Sequence, residues 1–261
     1  MKKFGYSLAE TLIALMIVGV VAALTIPGLV KSNENKSNAA ALSVAVSDFE
    51  NALANMMISD EVDKLTDTRF YKATTTVSEG NEESEEDNEE SEEGNDSSAN
   101  AAAKILGEYI EIQKSGTTPD KVVASTSLKG LDGSSESLFS DYTFVSKKGA
   151  VYNLYSGVDD KNDLTEADAI SKGVSITSVA YELMIDVNGD KKPNTIGRDV
   201  FGFAVGNDGV LYPWGGRDYD AYSKTGYWNG NTGNFSCKDI TKVSGWGCTA
   251  RLIENNYKVD Y

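Results

Sequence analysis

Five oxygen-bearing side chains fall within fourteen residues in the second half of the chain: Asp186, Asn188, Asp190, Asn194 and Asp199. Asp186, Asn188 and Asp190 alternate, so a loop carrying them can point three oxygens at one centre, and Asn194 and Asp199 can add two more. Ca²⁺ takes six to eight oxygens at about 2.3–2.6 Å, and loops of this composition supply them. The stretch is not an EF-hand, because Lys191 stands where that loop has glycine and Gly197 where it has its bidentate glutamate. The same residues have a second chemistry open to them. They can form a turn whose Asp and Asn side chains bond their own backbone.

The rest of the composition excludes much else. The 261 residues contain no histidine, which removes Ser-His-Asp and Cys-His nucleophiles, His-ligated zinc and the commonest general base. Forty acidic residues against 24 basic ones give a net charge of −16, the wrong balance for nucleic acid as a main partner. Cys237 and Cys248 cannot make a four-ligand metal site alone. Outside the cytoplasm they most simply form one disulfide closing a short loop; otherwise they are two free thiols. No nucleophile with a base, no recognisable carboxylate pair and no metal-hydrolase spacing point to an enzyme.

One more carboxylate stands in an unusual place. From Thr11 to Val30 there are twenty residues without a charge, enough as a helix to cross about 30 Å of hydrocarbon. Lys2 and Lys3 precede the run and favour a cytoplasmic N-terminus with the remaining chain exported, although Lys31 and Lys36 make the contrast modest. Glu10 opens the run and Pro27 lies inside it. An intramembrane carboxylate costs about 2.5–3.5 kcal/mol and so needs a partner, unless it lies close enough to the headgroups to stay wet. Pro27 removes the backbone bond to Ala23 and is expected to kink or locally melt the helix. A Sec-type signal peptide with cleavage at Val21-Ala22-Ala23 is the rival, but the apolar run continues past that point and Glu10 is misplaced for a signal core.

Gly5-Tyr6-Ser7-Leu8-Ala9-Glu10 resembles the cleavage and methylation motif of type IV prepilins and type II secretion pseudopilins. The match covers roughly residues 1 to 30. In that family a short basic leader is cut after glycine, the new N-terminus is methylated, and glutamate is the fifth mature residue. The resemblance implies a leader over 1–5, a cut between Gly5 and Tyr6, and Glu10 at that fifth position. Gly19 and Pro27 also fall where the family carries glycine and proline. Tyr6 replaces the usual phenylalanine. The resemblance further implies a role for Glu10, neutralising the Tyr6 amine of a neighbouring subunit inside an apolar bundle and thereby selecting one axial register. Partners implied are other copies or related pilin subunits in a helical filament, a prepilin peptidase, an inner-membrane assembly platform and the membrane.

The elements that must carry these residues follow from periodicity. Leu42, Val46, Phe49, Leu53 and Met56 are spaced 4, 3, 4, 3, an amphipathic stripe. One helix of about 80 Å from about Tyr6 to about Ile58 is therefore expected, apolar over 6–30 and amphipathic over 31–60. Eleven of the eighteen residues 79–96 are acidic and none is basic or apolar, which predicts a disordered, solvated loop within 71–100. Dense acid without fixed geometry could also bind cations loosely or contact a basic partner.

Residues 101–261 are expected to form an α+β head. Ala101 to about Gln113 reads as a helix, followed by a turn-rich stretch. Tyr142–Val145, Ala150–Tyr155 and Val179–Ile185 read as strands, and Val200–Val205 with Val210–Tyr212 as a hairpin. Asp163–Asp168 reads as a capped helix start, and Thr249–Ile253 as a final strand. The fold class is a long N-terminal helix packed on a small antiparallel sheet, the pilin-like arrangement. Trp214, Tyr219, Tyr222, Tyr227 and Trp228 form either a Gly-aromatic loop packed on the sheet or a sugar- or protein-binding face. The Asp186–Asp199 stretch resembles a D-x-N-G-x-x-x-P-N-x-x-G-x-D segment of many pilin-like proteins, and major pseudopilins bind calcium in this region. A C-terminal disulfide resembles the stapled loop of type IV pilins. The function implied is a structural subunit of a pilus or secretion pseudopilus, anchored in the inner membrane with its head outside the cytoplasm. The alternative is a minor pilin or adhesin whose head binds a ligand.

Overall fold

The structure is a computed structural model that describes residues 7–75, 92–138, 140–156, 165–189, 191–192, 194–230 and 235–261. Gly5, Tyr6, Asp190 and residues 76–91 of the acidic stretch lie outside them, as do Asp163 and Leu164.

Helix α1 runs from Leu8 to Ser59, 52 residues without a break. Its two halves meet different surroundings. Leu8, Leu24 and Leu29 are each more than 70% exposed, whereas the predicted stripe of Leu42, Val46, Phe49, Leu53 and Met56 is buried throughout. After a 3₁₀ turn at Leu65–Asp67, helix α2 (Arg69–Thr75) and helix α3 (Glu92–Leu106) pack together beside the stem. Both margins of the expected acidic loop are thus helical. Ala99, Ala102 and Leu106 on α3, with Phe70 on α2, give those margins the apolar surface that the acidic run lacks.

The head continues with β1 (Ile112–Gly116), α4 (Pro119–Val122), β2 (Ser127–Lys129), β3 (Ser135–Ser137), β4 (Tyr142–Ser146) and β5 (Val151–Tyr155). Then come α5 (Glu166–Lys172), β6 (Val179–Asp186), β7 (Val200–Gly206), β8 (Leu211–Pro213), α6 (Arg217–Ser223) and α7 (Cys248–Glu254). Six strands form one antiparallel sheet in the order β1-β4-β5-β6-β7-β8, and β2 pairs with β3 alone. The architecture is α+β, as expected. Two assignments from sequence are corrected. The helix expected from Ala101 to Gln113 begins at Glu92 and ends at Leu106, and Ile112 and Gln113 start β1. Thr249–Ile253 is part of α7 rather than a strand.

The side-chain period of two divides the sheet's contacts between its faces. Leu183, Ile185, Phe201 and Phe203 face the stem, where Phe49 meets Phe144 at 6.0 Å and Tyr152 at 5.4 Å between ring centroids. Met184, Val200, Ala204 and Tyr212 face a second cluster with Trp214, Tyr219 and Trp246. Of the aromatic stretch, Trp214 and Tyr219 are buried there, with Phe235 stacked on Trp214 at 5.3 Å. Tyr227 and Trp228 are half-buried, and both donate to the Glu254 carboxylate. These loops therefore pack on the sheet. Gly202 in β7 makes that possible, since a Cβ there would stand 2.1 Å from the Trp214 ring. Gly202→Val should cost about 1–3 kcal/mol by displacing the indole, visible as a lower urea midpoint with a weakened near-ultraviolet tryptophan signal.

Candidate functional site

The N-terminal site is built by the start of α1. Ser7 is its N-cap, with extended backbone, and its hydroxyl accepts the Glu10 N–H at 3.2 Å. The Glu10 carboxylate in turn accepts the Ser7 N–H at 2.8 Å, closing a reciprocal capping box. Glu10 therefore has a local partner besides any it finds in a neighbour. The S-x-x-E spacing ahead of an apolar run was the sequence signal for this role of Ser7, and it was missed. The helix passes through Pro27 without ending. Nearby, the Thr25 hydroxyl donates back to the Val21 carbonyl at 2.9 Å. Among the described residues this is the one helix long and apolar enough to cross a membrane, with a mean hydropathy of 2.5 over a window of which nothing is buried. Such a helix is consistent with a single-pass anchor.

The Asp/Asn loop connects β6 to β7 at the end of the head beside the stem. Asp186 ends β6, and its carboxylate accepts the N–H groups of Asn188 at 3.1 Å and Gly189 at 3.0 Å. Gly189 takes a positive φ of 64° to complete this turn. Asp199 lies across the loop, where its carboxylate accepts Asn188 Nδ2 at 2.9 Å and the Thr195 N–H. Asp186, Asn188, Asp199 and the backbone of Thr195 are thus brought together, with buried Asn194 adjacent in sequence. Asp190 lies outside the described residues. Burial pushes the Asp199 carboxyl up to about 6, against the lowering effect of its hydrogen bonds.

The turn reading of this loop is met by its hydrogen bonds. Asp186 bonds its own backbone as a turn requires. Yet Asn188 Oδ1 and Asn194 Oδ1 are buried acceptors without a donor. Leaving an acceptor unsatisfied costs about 1–3 kcal/mol, and a hard cation is the group that amide and carboxylate oxygens suit. Among the described residues no three acidic, histidine or cysteine side chains cluster, so the donor set leans on amide oxygens. If Ca²⁺ binds, Asp186, Asn188, Asn194 and Asp199 would hold it and it would fix the β6–β7 loop.

For the metal-free chain the sign of the pH dependence follows from Asp199. Its folded value of about 6 lies above the ordinary 3.8, so its contribution is full below pH 3.8 and lost as pH rises through about 6. Glu50 and Glu182, raised mainly by burial, act in the same direction. Exposed Asp132 and Asp239 lie below their ordinary values and act at more acid pH. Relative to Asp199→Asn, the wild type without calcium should therefore lose up to about 3 kcal/mol between pH 4 and 7. Urea unfolding at each pH reads this, and parallel curves for the two proteins would contradict it. Calcium should restore the wild type at pH 7 and leave Asp199→Asn unchanged.

Cys237 and Cys248 form a disulfide, with Cα atoms 5.0 Å apart. The stapled loop packs on the Asp/Asn loop: Gly197 takes a positive φ of 76°, and a Cβ there would stand 2.8 Å from the Gly245 carbonyl. Tyr261 donates to the Gly197 carbonyl at 2.7 Å, and Asn38 of α1 donates to the Arg198 carbonyl at 3.2 Å. Stem, loop, staple and C-terminal segment thus converge at one end of the head. In comparisons with known proteins, no family model, curated protein or solved structure matches the chain.

Proposed function

We propose that this chain is a pilin-like subunit, anchored in the cytoplasmic membrane by residues 6–30 and assembled into a type IV pilus or secretion pseudopilus after cleavage between Gly5 and Tyr6. The observation that carries the proposal is the unbroken α1, bare and apolar over its first half and buried in the head over its second. A signal peptide is removed and needs no continuation into a domain. Here the amphipathic half is the largest single contributor to the stem-side core, and the apolar half runs into it without a break. An exposed apolar segment of this length must be covered by lipid or by like segments. The capping box and the acid at Glu10 suit both settings, since the helix start is satisfied before any neighbour arrives. The chain is proposed to be structural and not an enzyme, with calcium as a stabiliser of its β6–β7 loop.

Co-expression with a prepilin peptidase and an assembly platform tests this. The subunit should appear in filaments sheared from cells and seen by electron microscopy. Recovery only as a soluble exported monomer would contradict it. A minor, ligand-binding role would show as a rare subunit confined to filament tips.

A further inference from the structure

We propose that the end of the head nearest the stem's apolar half is a clamp for the phosphate headgroup of an anionic phospholipid. The inference rests on the membrane-anchored reading above. Two clefts flank α1 where its uncharged run ends. One of about 630 Å³ lies between α1 and the β6–β7 loop, and one of about 450 Å³ lies between α1 and the C-terminal segment. Lys31 and Asn35 line both. The first also presents Lys191, Lys192 and Arg198, and the second Lys36 and Lys258.

This concentration of cations runs against a chain whose net charge is −16. None of the six makes an ion pair among the described residues. Two of the acids lining the clefts are already engaged: Asp199 accepts from Asn188 and Thr195, and Asp260 pairs with Arg251 at 2.8 Å. Glu34 is exposed and opposes the six. Arg198 lies over the Tyr261 ring at 5.0 Å, and its Nη1 is buried with no acceptor. A guanidinium nitrogen left so, among unpaired lysines, fits an oxyanion with several acceptor oxygens.

Position along the stem chooses the source of that anion. Lys31 follows Val30, the last residue of the uncharged run, and Asn38, which holds the loop, lies about 12 Å further on. The headgroup layer of one leaflet spans about 5–8 Å beyond the hydrocarbon. Lys31 and Asn35, which line both clefts, lie about 2 and about 8 Å past Val30, within that layer, and the loop held by Asn38 stands just above it. An anionic headgroup of the leaflet facing the head can therefore reach the clustered Lys and Arg. A headgroup held there would fix the tilt and height of the head over the bilayer before assembly.

The test uses the full chain in neutral detergent with equimolar phosphatidylglycerol and phosphatidylcholine, read by native mass spectrometry. The chain should retain phosphatidylglycerol over phosphatidylcholine by at least about tenfold. The exposed triple variant Lys31→Gln, Lys191→Gln, Lys192→Gln should bring the two lipids to near parity. Lys104→Gln, Lys121→Gln, Lys172→Gln, exposed sites that line neither cleft, should leave the preference intact. Equal retention by the wild type, or an unchanged preference in the first variant, overturns the clamp. Displacement of the lipid by an equal concentration of inorganic phosphate would assign the site to a free anion and also overturn it. Alkaline carbonate extraction of membranes reads the anchor separately. A chain that stays in the membrane without lipid preference refutes the clamp alone, and one that is extracted refutes the anchor.

Discussion

Replacing Phe49 with alanine is expected to lower the unfolding free energy of the head by about 3–5 kcal/mol, the range for an aromatic removed from a close-packed core. Phe49 is fully buried at the centre of the stem's stripe, packed against both Phe144 of β4 and Tyr152 of β5. Those two rings stack on each other at 4.5 Å, so they are held by their own contact and cannot easily collapse into the space. The Tyr152 hydroxyl donates to the Ala45 carbonyl of the stem at 3.2 Å, a second bond across the same seam. Urea unfolding of the full chain in neutral detergent, followed by near-ultraviolet circular dichroism, gives the difference. Val44→Ala, on the half-exposed side of the same helix, is the control and should change little. Equal effects of the two substitutions would mean that the stem does not pack on the sheet through this stripe.

Glu10→Ala is expected to reduce filament assembly by at least about tenfold, with the monomer still anchored and folded. A carboxylate paired with an amine in a low-dielectric bundle is strongly favoured, and an amine left alone there is penalised by several kcal/mol. The capping box complicates a bare alanine substitution, because removing Glu10 also removes the bond to the Ser7 N–H. Two further variants separate the roles. Glu10→Gln keeps a side chain able to complete the box without the charge, and Ser7→Ala keeps the charge with half of the box. If charge pairing drives assembly, Glu10→Gln fails like Glu10→Ala while Ser7→Ala assembles. Rescue by Glu10→Gln would instead assign Glu10 to the local cap.

The stem and most of the sheet were legible because their patterns are strong. The 4, 3, 4, 3 stripe on α1 and the apolar runs of β4, β5, β6 and β7 bury the residues their periods point inward. The hairpin through Asn207-Asp208-Gly209 formed where its turn residues stood. The failures are short elements. Cys248–Glu254 carries β-branched Thr249 and Ile253, which read as strand, but Ala250, Arg251, Leu252 and Glu254 are helix formers. A mixed run as short as the five residues Thr249–Ile253 cannot be assigned by period alone. Strand β1 was missed because Ile112–Gly116 has no alternation; it is an edge strand recruited by pairing with β4. The cover of the sheet's second face was legible in part: a Gly-aromatic loop packed on the sheet was one of the two readings of Trp214 and Tyr219, but Phe235 and Trp246 carry no periodicity that would place them there.

The candidate site was legible in part for the same reason. Alternation marked Asp186 and Asn188, but the bond from Asn188 to Asp199 and the two orphaned amide oxygens depend on how the loop closes. The cation cluster at the foot of the head was invisible in sequence. Its members come from 31–36, 191–198 and 258, segments joined only when the loop and the C-terminal segment reach the stem.

The most direct test of the central claim is the N-terminal sequence and intact mass of the mature protein, taken from the membrane fraction of cells that retain their prepilin peptidase. The filament account predicts a chain that begins at Tyr6 and carries one added methyl group. A chain that begins near Leu24 and is recovered as soluble protein outside the membrane would contradict it.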